Sequence, residues 1–206
     1  LFYQAQVRMQ DRKIVGFEAL IRWEKPGAGI ISPVRFIPLA EETGEIHEIG
    51  KWVLQTACRE ATAWPEDIKV AVNVSPVQFE NGNLKQIVQA ALAASGLAPQ
   101  RLELEITEGL LIKNVANALE QLKEIQALGV SVAMDDFGTG YSSLNYLSSF
   151  PFSKIKIDQS FVHRMQIDKS RTLIKAVITL GSALGIKTLA EGVETEEQFE
   201  YLAHNG

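Results

Sequence analysis

Short extended runs, several of them nearly apolar until a polar residue appears towards the C-terminal end, recur along this chain, separated by stretches of helical period. This alternation restricts the fold more than any other feature. The extended runs are Phe2–Val7, Val15–Trp23, Lys69–Ser75, Leu102–Thr107, Val130–Phe137, Lys154–Asp158 and Lys187–Gly192. Several are almost continuously apolar until a polar residue closes them, as strands are when both faces of a parallel sheet are covered. Helix-period segments lie between them at Glu48–Ala63, Leu84–Ser95, Val115–Leu128 and Thr172–Leu184. The last three are followed by Gly96, Gly129 and Gly185, where a helix C-terminus favours a left-handed residue. Ile30–Thr43, with Pro33 and Pro38, reads as a loop leading into a short helix. Only the first two strands are close enough to form a hairpin, around Gln10–Lys13.

Strands regularly separated by helices predict a parallel α/β fold. An open doubly wound sheet normally carries a glycine-rich phosphate loop after its first strand, and neither G-x-G-x-x-G nor a Walker pattern occurs here. A (β/α)8 barrel with seven countable strands is therefore expected. The 206 residues suffice for one domain and not two. No apolar run approaches the roughly 20 residues that span a bilayer, so no membrane contact by this domain is expected. Cys58, the single cysteine, permits neither an intramolecular disulfide nor a cysteine metal site. It reads as a core residue in a reducing compartment, the cytoplasm. A net charge of −5 without a basic run disfavours duplex nucleic acid. A small anionic ligand remains compatible, because bound cations invert the local field.

The strand-end residues carry the functional signal. Glu18, Asn73, Glu103 and Glu105, Asp135 and Asp136, Lys156 and Asp158, and Glu191 all close or interrupt apolar runs. In a parallel barrel the C-terminal strand ends converge on one mouth, where active sites are built. Several carboxylates there repel one another unless cations sit between them. Oxygen ligands of this kind suit Mg²⁺ or Mn²⁺, and His47, His163 and His204 have no ligand spacing that would favour zinc. Asp135 and Asp136, consecutive at a strand end, point in different directions and can serve two ions, an arrangement suited to phosphodiester hydrolysis. Lys156, between Ile155 and Ile157, offers a fixed positive charge to the attacking water or to developing phosphorane charge.

Taken together, these blocks resemble the bacterial EAL domain. Glu18-Ala19-Leu20-Ile21-Arg22-Trp23 is similar to the motif that names the family. Asn73-Val74-Ser75, Glu105-Ile106-Thr107-Glu108, Asp135-Asp136-Phe137-Gly138-Thr139-Gly140-Tyr141-Ser142-Ser143-Leu144, Lys156-Ile157-Asp158 and Glu191-Gly192-Val193-Glu194 match its later blocks in order. The similarity runs through essentially the whole chain. It implies a modified TIM barrel whose first strand runs antiparallel to the others, and cleavage of cyclic di-GMP to linear 5′-pGpG, lowering the level of this second messenger. It implies two Mg²⁺ or Mn²⁺ ions held by Glu18, Asn73, Glu105, Asp135, Asp136 and Glu191, with Asp135 as the bridge. Lys156 would hold the water, and Glu191 would either complete the metal site or act as a base. Glu18 and Asp135 would count among the catalytic groups. Arg22 would contact a substrate phosphate, with Gln4, Leu20, Asp158 and Glu194 also on the substrate side. Glu108 would anchor the Phe137–Leu144 loop, which adjoins a homodimer contact. N-terminal sensory or GGDEF-type domains would accompany this single domain, residues 1–206, in a longer protein.

Two departures from the family pattern stand out. The usual Tyr-Gln-Pro is Tyr3-Gln4-Ala5 here, and the sequence stops at Asn205-Gly206, before the family's last strand and its Gln-Gly-Tyr-like block. Two other readings compete with catalysis. One is an inactive EAL module that binds cyclic di-GMP or a protein partner; such modules characteristically lose ligands, and every matched ligand is present. The other is an unrelated metal-dependent barrel enzyme, which would not require the full ordered set.

Overall fold

The computed structural model describes residues 1–27, 29–80, 82–110, 115–138, 147 and 150–206. Among these residues the main sheet has seven strands. β1 (Phe2–Val7) and β2 (Ile14–Leu20) form the expected antiparallel hairpin, with Gln4 opposite Glu18. Arg8 fixes the turn, donating from Nε and Nη2 to the Asp11 carboxylate at 2.9 Å each. A separate hairpin of β3 (Trp23–Lys25) and β4 (Gly29–Ile31) follows. The sheet then continues in parallel through β5 (Lys69–Val74), β6 (Leu102–Thr107), β7 (Ser131–Phe137), β8 (Lys154–Ile157) and β9 (Lys187–Ala190), in the order β1-β2-β5-β6-β7-β8-β9.

The sheet is strongly curled. β1 and β8 are five steps apart in the strand order, about 24 Å along a flat sheet at about 4.8 Å per step. Yet Lys154 Nζ of β8 lies 2.9 Å from Gln6 Oε1 of β1. Side chains can meet across the sheet in this way only if it closes around them, as in a barrel.

Strand alternation sorts the residues onto two faces. Val70, Val72, Val74, Leu102, Leu104, Ile106, Val132, Met134, Ile155 and Ile157 are buried on the outer face. The helices cover that face. α1 (Pro33–Thr43) buries Phe36 and Ala40, and α2 (Ile46–Ala61) buries Val53, Leu54, Ala57, Cys58 and Ala61. α3 (Leu84–Ser95) contributes Leu84, Val88, Ala91 and Leu92, and α4 (Val115–Gln126) contributes Ala118, Leu122 and Ile125. α5 (Gln159–His163), α6 (Asp168–Leu184) and α7 (Glu196–Asn205) enclose a smaller cluster of Ile157, Val162, Met165, Ile174, Ile178 and Leu202. Burial pushes the Cys58 thiol up to about 12, which leaves it the inert core residue expected. No helix among the described residues is long and apolar enough to cross a membrane.

Helix ends follow local chemistry. α3 and α6 stop at Gly96 (φ 73°) and Gly185 (φ 67°), and the Gly96 N–H donates to the Leu92 carbonyl. Several elements differ from the sequence expectation. β2 ends at Leu20 and not Trp23, because Trp23 pairs with Ile31 in the small hairpin and stacks edge-on against Phe36. The segment read as a loop before a short helix contains the full 11-residue α1, since Pro33 at the first helical turn is compatible with a helix start. α6 begins at Asp168, ahead of Thr172. α5 and α7 were not anticipated; Asp158 caps the first, and a Thr195–Gln198 capping box opens the second.

Candidate metal centre and active site

The inner face of the sheet is polar, and its focus is Lys156. This side chain is fully buried, and its ammonium contacts four carboxyl groups. Glu105 Oε2 of β6 lies at 2.6 Å, Glu191 Oε1 beyond β9 at 2.7 Å, Asp135 Oδ1 of β7 at 3.1 Å and Glu18 Oε2 of β2 at 3.2 Å. Asn73 of β5 donates from Nδ2 to Glu18 Oε1 at 2.7 Å. Behind Asn73, Ser75 donates its hydroxyl to Glu41 of α1 at 2.5 Å and caps the 3-10 turn Pro76–Phe79. The strand end carrying Asn73 is thereby tied to a helix.

Asp135 and Asp136 are aimed by a defect in the ladder. Met134 pairs with Ile155 and Phe137 with Ile157, so two residues of β7 oppose the single Lys156 of β8. The extra residue makes a bulge, a device that re-aims side chains beside active sites. Asp136 takes up the deviation at φ 54°, and its N–H donates to Asp135 Oδ1 at 2.9 Å. A non-glycine residue held there costs on the order of 1–3 kcal/mol, so surrounding structure must enforce it. Asp135, Asp136 and Glu191 each present an oxygen within 4.8 Å of the other two, a spacing that fits a cation.

Acid is in excess at this mouth. Burial pushes the Glu105 carboxyl up to about 8; Lys156 opposes the rise and Glu18 and Asp135 add to it. Burial likewise lifts Glu191 to about 7, with Lys156 opposing and Asp135 adding. Asp136 is raised by burial, then by Asp135 and Asp158. For Lys156, burial disfavours the charge, but Glu105, Asp135, Glu18 and Glu191 outweigh it and its pKa rises. One ammonium is thus firmly charged among carboxyl groups that resist joint ionisation. Hard oxygen donors gathered in this way are of the kind that could hold a divalent cation.

Sequence reasoning missed a second polar layer below the first. Lys154 forms an ion pair with the buried Glu103, which also accepts from Ser153 Oγ at 3.1 Å. Gln6 bridges the layers, accepting from Lys154 and donating from Nε2 to Glu105 Oε1 at 3.4 Å. Lys69 donates to Ser131 Oγ at 3.1 Å; its pKa is lowered by burial and by neighbouring Lys154 and Lys187. The signal was present in the alternation Glu103-x-Glu105 and Lys154-x-Lys156, whose lower members lie away from the mouth.

The remaining expected residues sit around the rim or away from it. Gln4 is exposed opposite Glu18, and Leu20 is half-buried at the end of β2. The Arg22 guanidinium lies 5.7 Å from the Phe2 ring centroid and donates to the Ile21 carbonyl at 2.8 Å. Asp158 accepts from the Ser160 N–H at 3.0 Å as the cap of α5. Glu194 is exposed, 3.6 Å from His163, and lies outside the ring of groups around Lys156. Glu108 is buried, and neither carboxyl oxygen has a hydrogen-bond partner among the described residues. Most of the loop assigned to it, Thr139–Leu144, lies outside the described residues.

A curled, mostly parallel sheet with its first strand reversed and a carboxylate-lined C-terminal mouth defines a modified α/β barrel. This chain belongs to the EAL domain family, whose profile matches residues 1–206. It is 51% identical over 97% of its length to an uncharacterized signalling protein of Caulobacter vibrioides, covering 25% of that protein. It is 43% identical over its whole length to the bifunctional diguanylate cyclase/cyclic di-GMP phosphodiesterase MucR of Pseudomonas aeruginosa, covering 31% of it. The chain therefore spans about a quarter to a third of these relatives. A solved structure described as PaMucR phosphodiesterase in complex with c-di-GMP superposes with a TM-score of 0.96 at 42% identity, covering 99% of this chain and 85% of that one.

Proposed function

We propose that this domain hydrolyses one phosphodiester of cyclic di-GMP to linear 5′-pGpG, using two divalent cations, Mg²⁺ or Mn²⁺, at the barrel mouth. The observation that carries this reading is the convergence of four carboxyl groups on the buried Lys156, beside the Asp135–Asp136–Glu191 triplet. Relatives named as cyclic di-GMP phosphodiesterases, MucR and the 40%-identical NbdA, support the choice of substrate.

Glu18, Asn73, Glu105, Asp135, Asp136 and Glu191 would hold the cations, with Asp135 and Asp136 placed side by side at the bulge of β7. When bound, the cations supply Lewis acidity to the phosphate and activate the attacking water. Lys156 donates to that water and fixes its position, and its raised pKa keeps it a donor throughout the physiological range. Glu191, whose Oε1 lies 2.7 Å from Lys156 Nζ, completes the cation site or takes the water's proton as a base. Arg22 engages a substrate phosphate, with Gln4, Leu20, Asp158 and Glu194 on the same side of the groove. The domain works as one module of a longer signalling protein and as a homodimer, with Glu108 anchoring the loop beside the dimer contact.

Purified protein incubated with cyclic di-GMP and Mg²⁺ should yield pGpG by nucleotide chromatography. Chelation should stop the reaction and Mn²⁺ should restore it. Tight binding of cyclic di-GMP without turnover would instead make the domain a receptor.

A further inference from the structure

We propose that Gln6 is a positioning residue for the acid cluster: its amide, aimed from below by Lys154, holds the Glu105 carboxylate in the orientation the cation site needs. The inference rests on the cation-dependent reading of the mouth.

Gln6 lies on β1 and is 7% exposed, with its side chain inside the barrel. The two ends of an amide have nearly the same shape, so packing alone cannot orient it. Lys154 settles the matter, because an ammonium can only donate. Its Nζ, 2.9 Å from Gln6 Oε1, requires the carbonyl to face the floor. The NH₂ group must then face upward, where Nε2 meets Glu105 Oε1 at 3.4 Å. Lys154 is itself fixed by its ion pair with Glu103, which is buttressed in turn by Ser153.

Glu105 is consequently held on both oxygens, Oε2 by Lys156 from the mouth side and Oε1 by Gln6 from the floor. A carboxylate held through one oxygen still turns about its last torsion, which has a broad profile. The second contact removes that freedom. At 3.4 Å it is a long hydrogen bond, so its contribution is direction more than strength. Partners that orient a ligating side chain matter nearly as much as the ligand.

The test is Mn²⁺ binding by the full chain without substrate, followed through the spectrum of free Mn²⁺. Gln6→Met keeps the side chain's length and removes donor and acceptor; its affinity should fall about tenfold. Lys154→Met leaves Gln6 in place but frees the amide to turn over, and should weaken Mn²⁺ less, in the same direction. The double variant should be no weaker than Gln6→Met, because Lys154 acts through Gln6. In turnover, the Mn²⁺ concentration giving half-maximal rate should rise while KM for cyclic di-GMP at saturating Mn²⁺ stays fixed. Wild-type affinity in Gln6→Met would overturn the proposal, as would strictly additive losses in the double variant. If Gln6→Met fails to fold, wild-type affinity in Lys154→Met overturns it. Absence of Mn²⁺ binding by the wild type is a separate result that removes the cation reading and this inference with it.

Discussion

The two ends of the barrel interior lie on the same strands, one pleat apart, and carry opposite balances of charge. At the mouth, Glu18, Glu105, Asp135 and Glu191 share the single ammonium of Lys156. At the floor, Lys154 and Lys69, with Lys187 opposite Lys154 in the β8/β9 register, accompany the single carboxylate of Glu103. The buried groups of the floor satisfy one another, since Glu103 has Lys154 and Ser153, and Lys154 also has Gln6. The mouth has no such closure, and burial there lifts Glu105 to about 8 and Glu191 to about 7. Both levels are polar, but among the described residues only at the strand ends do carboxyl groups outnumber the ammonium groups they contact.

Substitutions at the two levels should separate them. Asp135→Asn and Glu18→Ala should each lower turnover on the order of a hundred- to a thousandfold while circular dichroism shows the fold intact. A variant at near-native rate would remove that residue from the proposed ligand set. Glu108→Gln, beyond the mouth, should cost up to about a hundredfold by loosening the aim of Asp135 and Asp136. Sedimentation of the same samples tests the proposed homodimer, which this substitution should weaken. Unchanged metal dependence and unchanged dimerisation would remove the anchoring role from Glu108.

Stability against pH distinguishes the levels in a second way. Glu105 and Glu191 ionise less readily in the fold than in the unfolded chain, where the reference value is 4.5. Between pH 4.5 and about 8 the native state therefore binds more protons than the unfolded state, and stability falls as pH rises. The midpoint of thermal unfolding in chelator should decline across that window, and Mg²⁺ should flatten the decline. The protons belong to the coupled cluster, so Glu105→Gln should change the whole profile. The smallest effect is expected at the floor. Glu103→Gln leaves Lys154 without its counter-charge and should cost about 1–3 kcal/mol in denaturant unfolding, with far less loss of turnover than at Asp135.

Most of this architecture is written in local pattern. β1 and β6 have the bounds read from the sequence, and in β6 the alternation of Leu102, Leu104 and Ile106 reflects an apolar outer face. The three-residue strands β3 and β4 are too short to show a period, and only the docking of Trp23 on Phe36 reveals them. At the site, residue types and strand-end positions identified the acids. Their convergence on one ammonium was not legible, because Glu18 and Lys156 lie 138 positions apart and only barrel closure brings them to 3.2 Å. The bulge at Asp136 was equally hidden, being a mismatch between two strands and not a property of either. Gln6 gave no signal in the sequence, since its importance comes from what lies above and below it.

Anomalous diffraction from crystals of the wild-type chain grown with Mn²⁺ locates any cation at the barrel mouth. Two peaks about 3.5–4 Å apart are expected, the separation typical of two-metal hydrolases. Both should lie within coordination distance of the Asp135–Asp136–Glu191 group, with Lys156 no longer the sole positive charge among the carboxylates. A map with no Mn²⁺ at the mouth, and Lys156 still bonded to all four acids, would contradict the cation-dependent reading.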